Sequence, residues 1–340
     1  MGKKQKYNVA VVGAMGMVGT EMIKTLERRN FPVAEFRPLD IAANEGKEVE
    51  FNGQAYKVLE AKFENFKDID VAIFSAGGDA SEKLAPEAVK QGAIVVDNSS
   101  QWRMDPECPL VVPEVNPQDV DWHKGIIANP NCSTIQMLVA LKPLHDYAKI
   151  KRVVVSTYQA VSGSGMGAFK GLEAEAKEYL ETGALKAPKA YGKQIAFNCL
   201  PHIDVFQEGG YTKEEYKMVN ETHKIMDKGV KVSATCVRVP VWYGHSESVN
   251  IETEKKLTRE KALEILSKAP SMKVVDDPDN EVYPTPLMSN EEDLTMVGRV
   301  REDKTVENGL NLWVVSNNIR KGAALNAVQV AETLLERNVI

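Results

Sequence analysis

Residues 7 to 29 read YNVAVVGAMGMVGTEMIKTLERR. An apolar run ends on a glycine, glycines recur as Gly13, Gly16 and Gly19, and a helical pattern follows over Met17–Arg29. Strand, glycine turn and helix in this order restrict the chain to the opening unit of a parallel sheet, with the turn shaped to hold a dinucleotide. Gly13 permits the tight turn, Gly16 lets backbone approach a pyrophosphate, and Gly19 allows close helix–strand packing. A helix start also attracts anions through its unpaired N–H groups. The spacing G-x-x-G-x-x-G differs from the common G-x-G-x-x-G, so the flanking strand and helix carry the argument.

Further strands are predicted at Val33–Ile41, Val71–Ser75 and Ile94–Asp97, with a helix over SEKLAPEAVKQG between the last two. Strands alternating with helices predict an α/β domain of the doubly wound, Rossmann type. Ligands bind beyond the carboxyl ends of such strands, so Ser75, Ala76, Gly77 and Gly78, which end the strand FSAGG, line the expected cofactor cleft. Asp40 stands about twenty residues past the glycine turn, where an acid meets a ribose 2′-hydroxyl.

The stretch ANPNCSTIQM places Cys132 after an Asn-Pro-Asn turn and before Ile135, Met137, Leu138 and Leu141, spaced as one helical face. A thiol at a helix start sits at the positive dipole end, an environment that makes a nucleophile. After this helix the pattern changes. Arg152–Ala160, Lys231–Val239, Ser246–Thr253 and Leu310–Asn317 read as strands, with helices over Gly167–Thr182 and Lys213–Asp227. The expectation is an α+β domain on a mixed sheet, helices on one face and a partner subunit over the other. A last helix, Gly322–Glu336, returns to the first domain. The boundaries drawn are 1–131 for dinucleotide binding, completed by 322–340, and 132–321 for catalysis and dimerisation.

Composition narrows the class. Of 340 residues, 43% are hydrophobic and 26% charged, and the net charge is −6, which disfavours nucleic-acid or membrane-surface binding. No apolar run suits a membrane span. The start reads as a first strand and not a signal peptide. Four scattered cysteines offer neither a metal site nor a disulfide framework, so a reduced, cytoplasmic setting is expected.

Six stretches in order carry a resemblance: residues 74–104, NPNCST, YQAVSGSG, IAFNCLPHID, RVPVWYGHSESV and GAALNAVQVAE. Together they resemble the aspartate-β-semialdehyde dehydrogenases. The resemblance implies reductive dephosphorylation of L-4-aspartyl phosphate to L-aspartate 4-semialdehyde with NADPH, a step towards lysine, threonine and methionine. It implies that Cys132 forms a thioester, that His245 is the general acid/base, and that Gln159 orients the thioester or a water. Backbone N–H groups at the helix start are the expected oxyanion donors. By the same resemblance Arg238 binds the α-carboxylate, Glu221 the ammonium, and Lys224 and Arg103 the phosphate, with Asn131 in the substrate site. The implied cofactor contacts are Gly13, Ala14, Met15, Gly16, Met17, Val18, Gly19, Ser75 to Gly78, Ser162, Gly163 and Asn326. A homodimer or homotetramer without metal is implied.

One stretch departs from that pattern. NADP-dependent relatives carry an arginine and serines after the second strand, whereas this chain has LDIAANEG at 39–46, with Ala43 in the arginine's place. Asp40 and Ala43 make NAD a plausible cofactor beside NADP. A reductase of N-acetylglutamyl phosphate shares the cysteine logic, but Glu221 suits a free ammonium better than an acylated amine. A catalytically inactive nucleotide-binding relative would be expected to lack the cysteine, the histidine or the arginine, and all three are present.

Overall fold

The computed structural model describes residues 5–188 and 190–340; the reading of the chain start concerns, for residues 1–4, positions outside them. Contacts divide the chain into two compact units, Met1–Pro130 with Ala323–Ile340, and Asn131–Gly322. The boundaries lie one residue from those drawn on the sequence. Asn131 and Gly322 both touch Cys132 or its helix, which groups them with it.

The first unit opens with β1 (Tyr7–Val12), α1 (Met17–Arg28) and β2 (Val33–Asp40), followed by the hairpin β3 (Glu48–Phe51) and β4 (Gln54–Lys57). Then come β5 (Leu59–Glu60), β6 (Val71–Phe74), α2 (Gly78–Lys90), β7 (Ile94–Asp97) and β8 (Ile126–Ala128). The sheet order is β5-β2-β1-β6-β7-β8, all parallel. β1 is buried on both faces, which explains its unbroken apolar run. Met22 and Leu26 of α1 join Val328, Ala331 and Leu334 of the closing helix on one face, while Ala85 and Ala88 of α2 pack with Phe74 and Val95 on the other. α2 starts at Gly78, three residues earlier than predicted, because the glycine pair itself forms the turn into the helix. The β3–β4 hairpin was not predicted, although Asn52 and Gly53 at its tip, with φ of 51° and 73°, are the asparagine–glycine pair such a turn requires.

The second unit runs α3 (Cys132–Ala148), β9 (Ile150–Gln159), α4 (Met166–Thr182), α5 (Lys213–Ile225), β10 (Lys231–Arg238) and β11 (His245–Thr253). It continues through α6 (Arg259–Lys268), β12 (Met272–Val274), β13 (Thr295–Asp303) and β14 (Gly309–Ser316). The mixed sheet has the order β10-β9-β11-β14-β13-β12. α6, β12 and β13 were missed in the sequence. α3 was predicted to have one apolar face, yet every residue from Ser133 to Leu141 is buried; it is a core helix, packed on β9, β11, β13 and β14. The opposite sheet face stays open: Tyr158 and Ser248 are exposed, and the Tyr158 and Trp313 rings lie 5.4 Å apart on it. The predicted last helix is in two parts, a π-helical turn at Arg320–Ala324 and α7 (Leu325–Glu336). No helix among the described residues is long and apolar enough to cross a membrane.

Candidate active site

In the first unit, the glycine turn has the geometry expected of a phosphate cradle. A Cβ on Gly13 would lie 2.4 Å from the Ser75 carbonyl oxygen, and one on Gly19 would lie 2.0 Å from that of Gly13, so both glycines are forced by packing. A Cβ on Gly16 would meet only Gly13 O, at 3.2 Å. α1 begins after Gly16 without a side-chain cap, which leaves the start of the helix to a ligand. A cleft of about 530 Å³ opens there, lined among others by Gly13, Met15, Gly16, Asp40, Ser75 and Ala76. These residues fit a dinucleotide.

Asp40 is more committed than the sequence implied. Its Oδ2 accepts the Met15 N–H at 2.8 Å, and its Oδ1 accepts Ile41 N–H and Asn44 Nδ2, each at 2.8 Å. The carboxylate ties the glycine turn to the segment after β2. Lys47 reaches Asn44 Oδ1 at 2.6 Å, while Arg37 donates to the carbonyls of Asn65 and Lys67.

In the second unit, Cys132 is the first residue of α3, as expected, and Asn131 is its N-cap. Asn131 Oδ1 accepts from Ser133 N (3.0 Å) and Thr134 N (3.3 Å). Those two amides are therefore spent on the cap, and the oxyanion donors must be sought elsewhere than in this part of the first turn. Gly322, in the π-helical turn, packs directly on the cysteine; a Cβ there would come within 2.8 Å of Cys132 Cβ.

Strand register assembles the rest. Arg238 of β10 pairs with Gln159 of β9, and Ser246 of β11 pairs with Tyr158, which puts His245 beside Gln159 at the strand end. Arg238, Gln159 and His245 thus form one row under the start of α3. His245 Nε2 lies 3.1 Å from Cys132 Sγ. The Ala160 peptide is clamped from both sides: its N–H donates to His245 Nδ1 at 2.9 Å, and its carbonyl accepts from Arg238 Nη1 at 2.6 Å. Arg238 is buried, and its Nε has no hydrogen-bond partner among the described residues. It floors a cavity of about 390 Å³ lined by Tyr191, Lys193, His202 and Asp204 among others.

Glu214 is a site residue that the sequence reading missed. Its Oε1 accepts Asn131 Nδ2 at 2.9 Å and Gln159 Nε2 at 3.0 Å, and its Oε2 accepts Lys217 at 3.0 Å. Gln159 Oε1 in turn accepts the Thr157 hydroxyl at 2.9 Å, so both ends of this amide are held. Burial opposes charge on Glu214, but the Lys217 ammonium and the bonds from Gln159 and Asn131 win and hold its carboxyl at about 2. Glu221, seven residues on and therefore on the same face of α5, accepts the Asn131 N–H through Oε2 at 2.7 Å. The signal was present: acids at 214 and 221 share a stripe with buried Met218, Thr222 and Ile225.

His245 is fully buried, and burial, helped by the Arg238 charge and opposed by Glu214, lowers its pKa to about 3. With Nδ1 accepting a backbone N–H, the neutral ring carries its proton on Nε2, facing sulfur. Selective ¹⁵N labelling of histidine should show the neutral Nε2–H tautomer of His245 persisting down to pH 5. Protonation of both ring nitrogens near pH 6.5 would contradict it.

The other expected site residues are placed as follows. Lys224 is half-buried on α5, three residues past Glu221. Arg103, in the first unit, is buried and donates to the Ser99 and Asn98 carbonyls at 3.0 Å each. Ser162 exchanges hydrogen bonds with Asn318, which also accepts the Gly244 N–H at 2.9 Å. Gly163 passes so close that a Cβ would sit 3.1 Å from Arg238 Nη1 and 3.4 Å from His245 Cε1. Asn326 is fully buried in the first unit, its amide donating to Val111 O and Asn129 Oδ1, which cross-links α7 to the segment before α3.

Comparison with known proteins places this geometry. Residues 8–123 match a family model described as the NAD binding domain of semialdehyde dehydrogenase, and residues 141–321 match its dimerisation domain. The aspartate-semialdehyde dehydrogenase of Aquifex aeolicus is 57% identical over 98% of this chain and 99% of its own. That of Bacillus subtilis is 49% identical over 98% and 99%. Among solved structures, aspartate semialdehyde dehydrogenase II of Vibrio cholerae complexed with ASA superposes with a TM-score of 0.95 at 45% identity, covering 98% of this chain and 99% of that one. The Candida albicans enzyme with NADP gives 0.76 at 26% identity, covering 98% and 100%.

Proposed function

Since the chain belongs to the aspartate-semialdehyde dehydrogenase family, we propose that it reduces L-4-aspartyl phosphate to L-aspartate 4-semialdehyde, releasing phosphate, through a thioester on Cys132. The observation that carries this reading is the 3.1 Å approach of Cys132 Sγ to His245 Nε2 above the buried Arg238. The Cys132 thiol gives its proton to solvent, and the Nε2–H of neutral His245 donates to the resulting thiolate and holds it as a nucleophile. The thiolate attacks the acyl carbon, phosphate leaves, and a thioester remains. A nicotinamide held in the glycine-turn cleft would supply the hydride that reduces this thioester. The resulting thiohemiacetal alkoxide collapses to the aldehyde, returning the thiolate to the His245 donor. The imidazole N–H, together with the second hydrogen of Gln159 Nε2, replaces the helix-start amides that Asn131 has taken.

We assign substrate contacts by chemistry. Arg238, a buried guanidinium lining the cavity, suits the α-carboxylate. Glu221 suits the ammonium, and Lys224 and Arg103 the phosphate. Asn131 acts as the cap that orients Cys132 and keeps one Nδ2 hydrogen for substrate. The open sheet face beside the family's dimerisation domain supports a homodimer or a homotetramer built from such pairs.

The test is oxidation of aspartate semialdehyde, which should depend on inorganic phosphate, measured separately with NADP and NAD. Both cofactors should be used, with NAD at least comparable, because Ala43 offers no charge to a 2′-phosphate and Asp40 lies close by. Asp40 also holds the Met15 amide, so its removal would disturb either cofactor; exposed Ala43 is the cleaner probe. Ala43→Arg should move the kcat/KM ratio towards NADP by about tenfold, the worth of one charge-assisted bond. A parent that already favours NADP a hundredfold would show that Asp40 does not face the ribose.

A further inference from the structure

Below the Cys132–His245 pair lies a second pair that takes no direct part in the bond changes proposed above. Gln136 is four residues past Cys132 on α3, and Glu247 is two past His245 on β11, so both fall one step deeper on the same faces. Gln136 Nε2 donates to the His245 carbonyl oxygen at 3.3 Å. Glu247 is 0% exposed, in a row that runs Cys236, Thr157, Glu247, Val314 across β10, β9, β11 and β14. Among the described residues neither oxygen of Glu247 meets a hydrogen-bond partner in good geometry, nor does Gln136 Oε1.

Beyond the Gln136 amide, the surrounding described residues offer a carboxylate little. Val314 is apolar, and the Thr157 hydroxyl is given to Gln159. Burial pushes the Cys236 thiol up, which keeps it neutral, and His245 is neutral above it. A buried ionised carboxylate with two orphan oxygens is heavily penalised, and such a group takes up a proton instead.

We propose that Glu247 is a protonated carboxylic acid paired edge-on with the Gln136 amide, and that this pair positions the His245 backbone, and with it the imidazole, against Cys132. The acid O–H donates to Gln136 Oε1, and the near Nε2–H of Gln136 donates to the acid carbonyl. The far Nε2–H keeps its bond to His245. One added proton thus satisfies the orphan Gln136 oxygen and both Glu247 oxygens. Burial drives the Glu247 carboxyl well above the carboxylate range, with the Gln136 amide only partly opposing it.

Two variants of the full chain test this. Glu247→Gln keeps a donor and an acceptor, so kcat and KM should stay within about threefold, as expected for a pairing that needs no charge. Its thermal midpoint should rise relative to the parent as pH goes from 5 to 8. The reason is that the parent's unfolded chain releases this proton above about 4.3 while the folded state retains it, so the parent loses stability with rising pH, by roughly 2 °C per unit. Gln136→Met, apolar and similar in size, should lower kcat about tenfold or more with KM little changed, because it frees the His245 carbonyl. A Glu247→Gln variant that loses kcat tenfold, or a midpoint difference that is flat in pH, would overturn the neutral acid. A Gln136→Met variant with parental kcat would overturn the positioning.

Discussion

Cys132→Ser should leave a folded, cofactor-binding protein whose turnover falls by roughly 10³–10⁵-fold, the scale of losing a covalent nucleophile. The substitution fits. An oxygen replaces a half-buried sulfur, the Asn131 cap is untouched, and Gly322 still leaves room beside the Cβ. What is lost is chemistry: a hydroxyl gives up its proton far less readily than a thiol, and one Nε2–H donor at 3.1 Å is not enough to hold an alkoxide. Peptide-resolved iodoacetamide labelling gives an independent measure. Cys108 and Cys236 are buried and should stay unmodified, while Cys199 is exposed and should react at an ordinary rate. Cys132 should react fastest, and phosphate or aspartate semialdehyde should slow that site alone. Labelling of Cys132 no faster than Cys199 and insensitive to phosphate would sink the nucleophile assignment, as would a serine variant with near-parental turnover.

The parts of this molecule that the sequence made legible are the local ones. Strand, glycine turn and helix follow one another within twenty-three residues, and each glycine has a steric reason that can be named from its spacing. Pro130 and the apolar run after Cys132 likewise place a helix start without tertiary knowledge. The row Arg238–Gln159–His245 is different. It exists only because β10 pairs parallel to β9 and β11 pairs antiparallel to it, across loops of dozens of residues, and register is a property of the assembled sheet. From sequence, those three residues were reached through resemblance. Glu214 and Glu247 show a second limit. An acid reads as a surface residue until the fold buries it, and then its partners, Lys217 with two amides in one case and Gln136 in the other, decide whether it keeps its charge. Asp40 shows a third: its position after β2 was legible, but not the three hydrogen bonds that already occupy it.

Arg238→Lys should lower kcat/KM for aspartate semialdehyde by about 10–1000-fold while cofactor Kd stays within a factor of two or so, because a point charge cannot reproduce the planar fork that holds a carboxylate. The structure sharpens where that loss arises. Arg238 Nη1 is committed to the Ala160 carbonyl at 2.6 Å, and Nε has no partner among the described residues. Lysine has one nitrogen for both tasks. Seated on the Ala160 carbonyl, it leaves the substrate carboxylate with a single bond. Drawn to the carboxylate, it releases Ala160, whose N–H fixes the His245 tautomer at 2.9 Å. The first outcome raises KM with kcat nearly preserved; the second lowers kcat as well. Since the charge itself is retained, depression of the His245 pKa by a neighbouring cation should persist in either case. Steady-state kinetics over semialdehyde concentration, paired with fluorescence titration of cofactor, separates them. A variant with parental substrate kinetics and a tenfold weaker cofactor Kd would move Arg238 out of the substrate site.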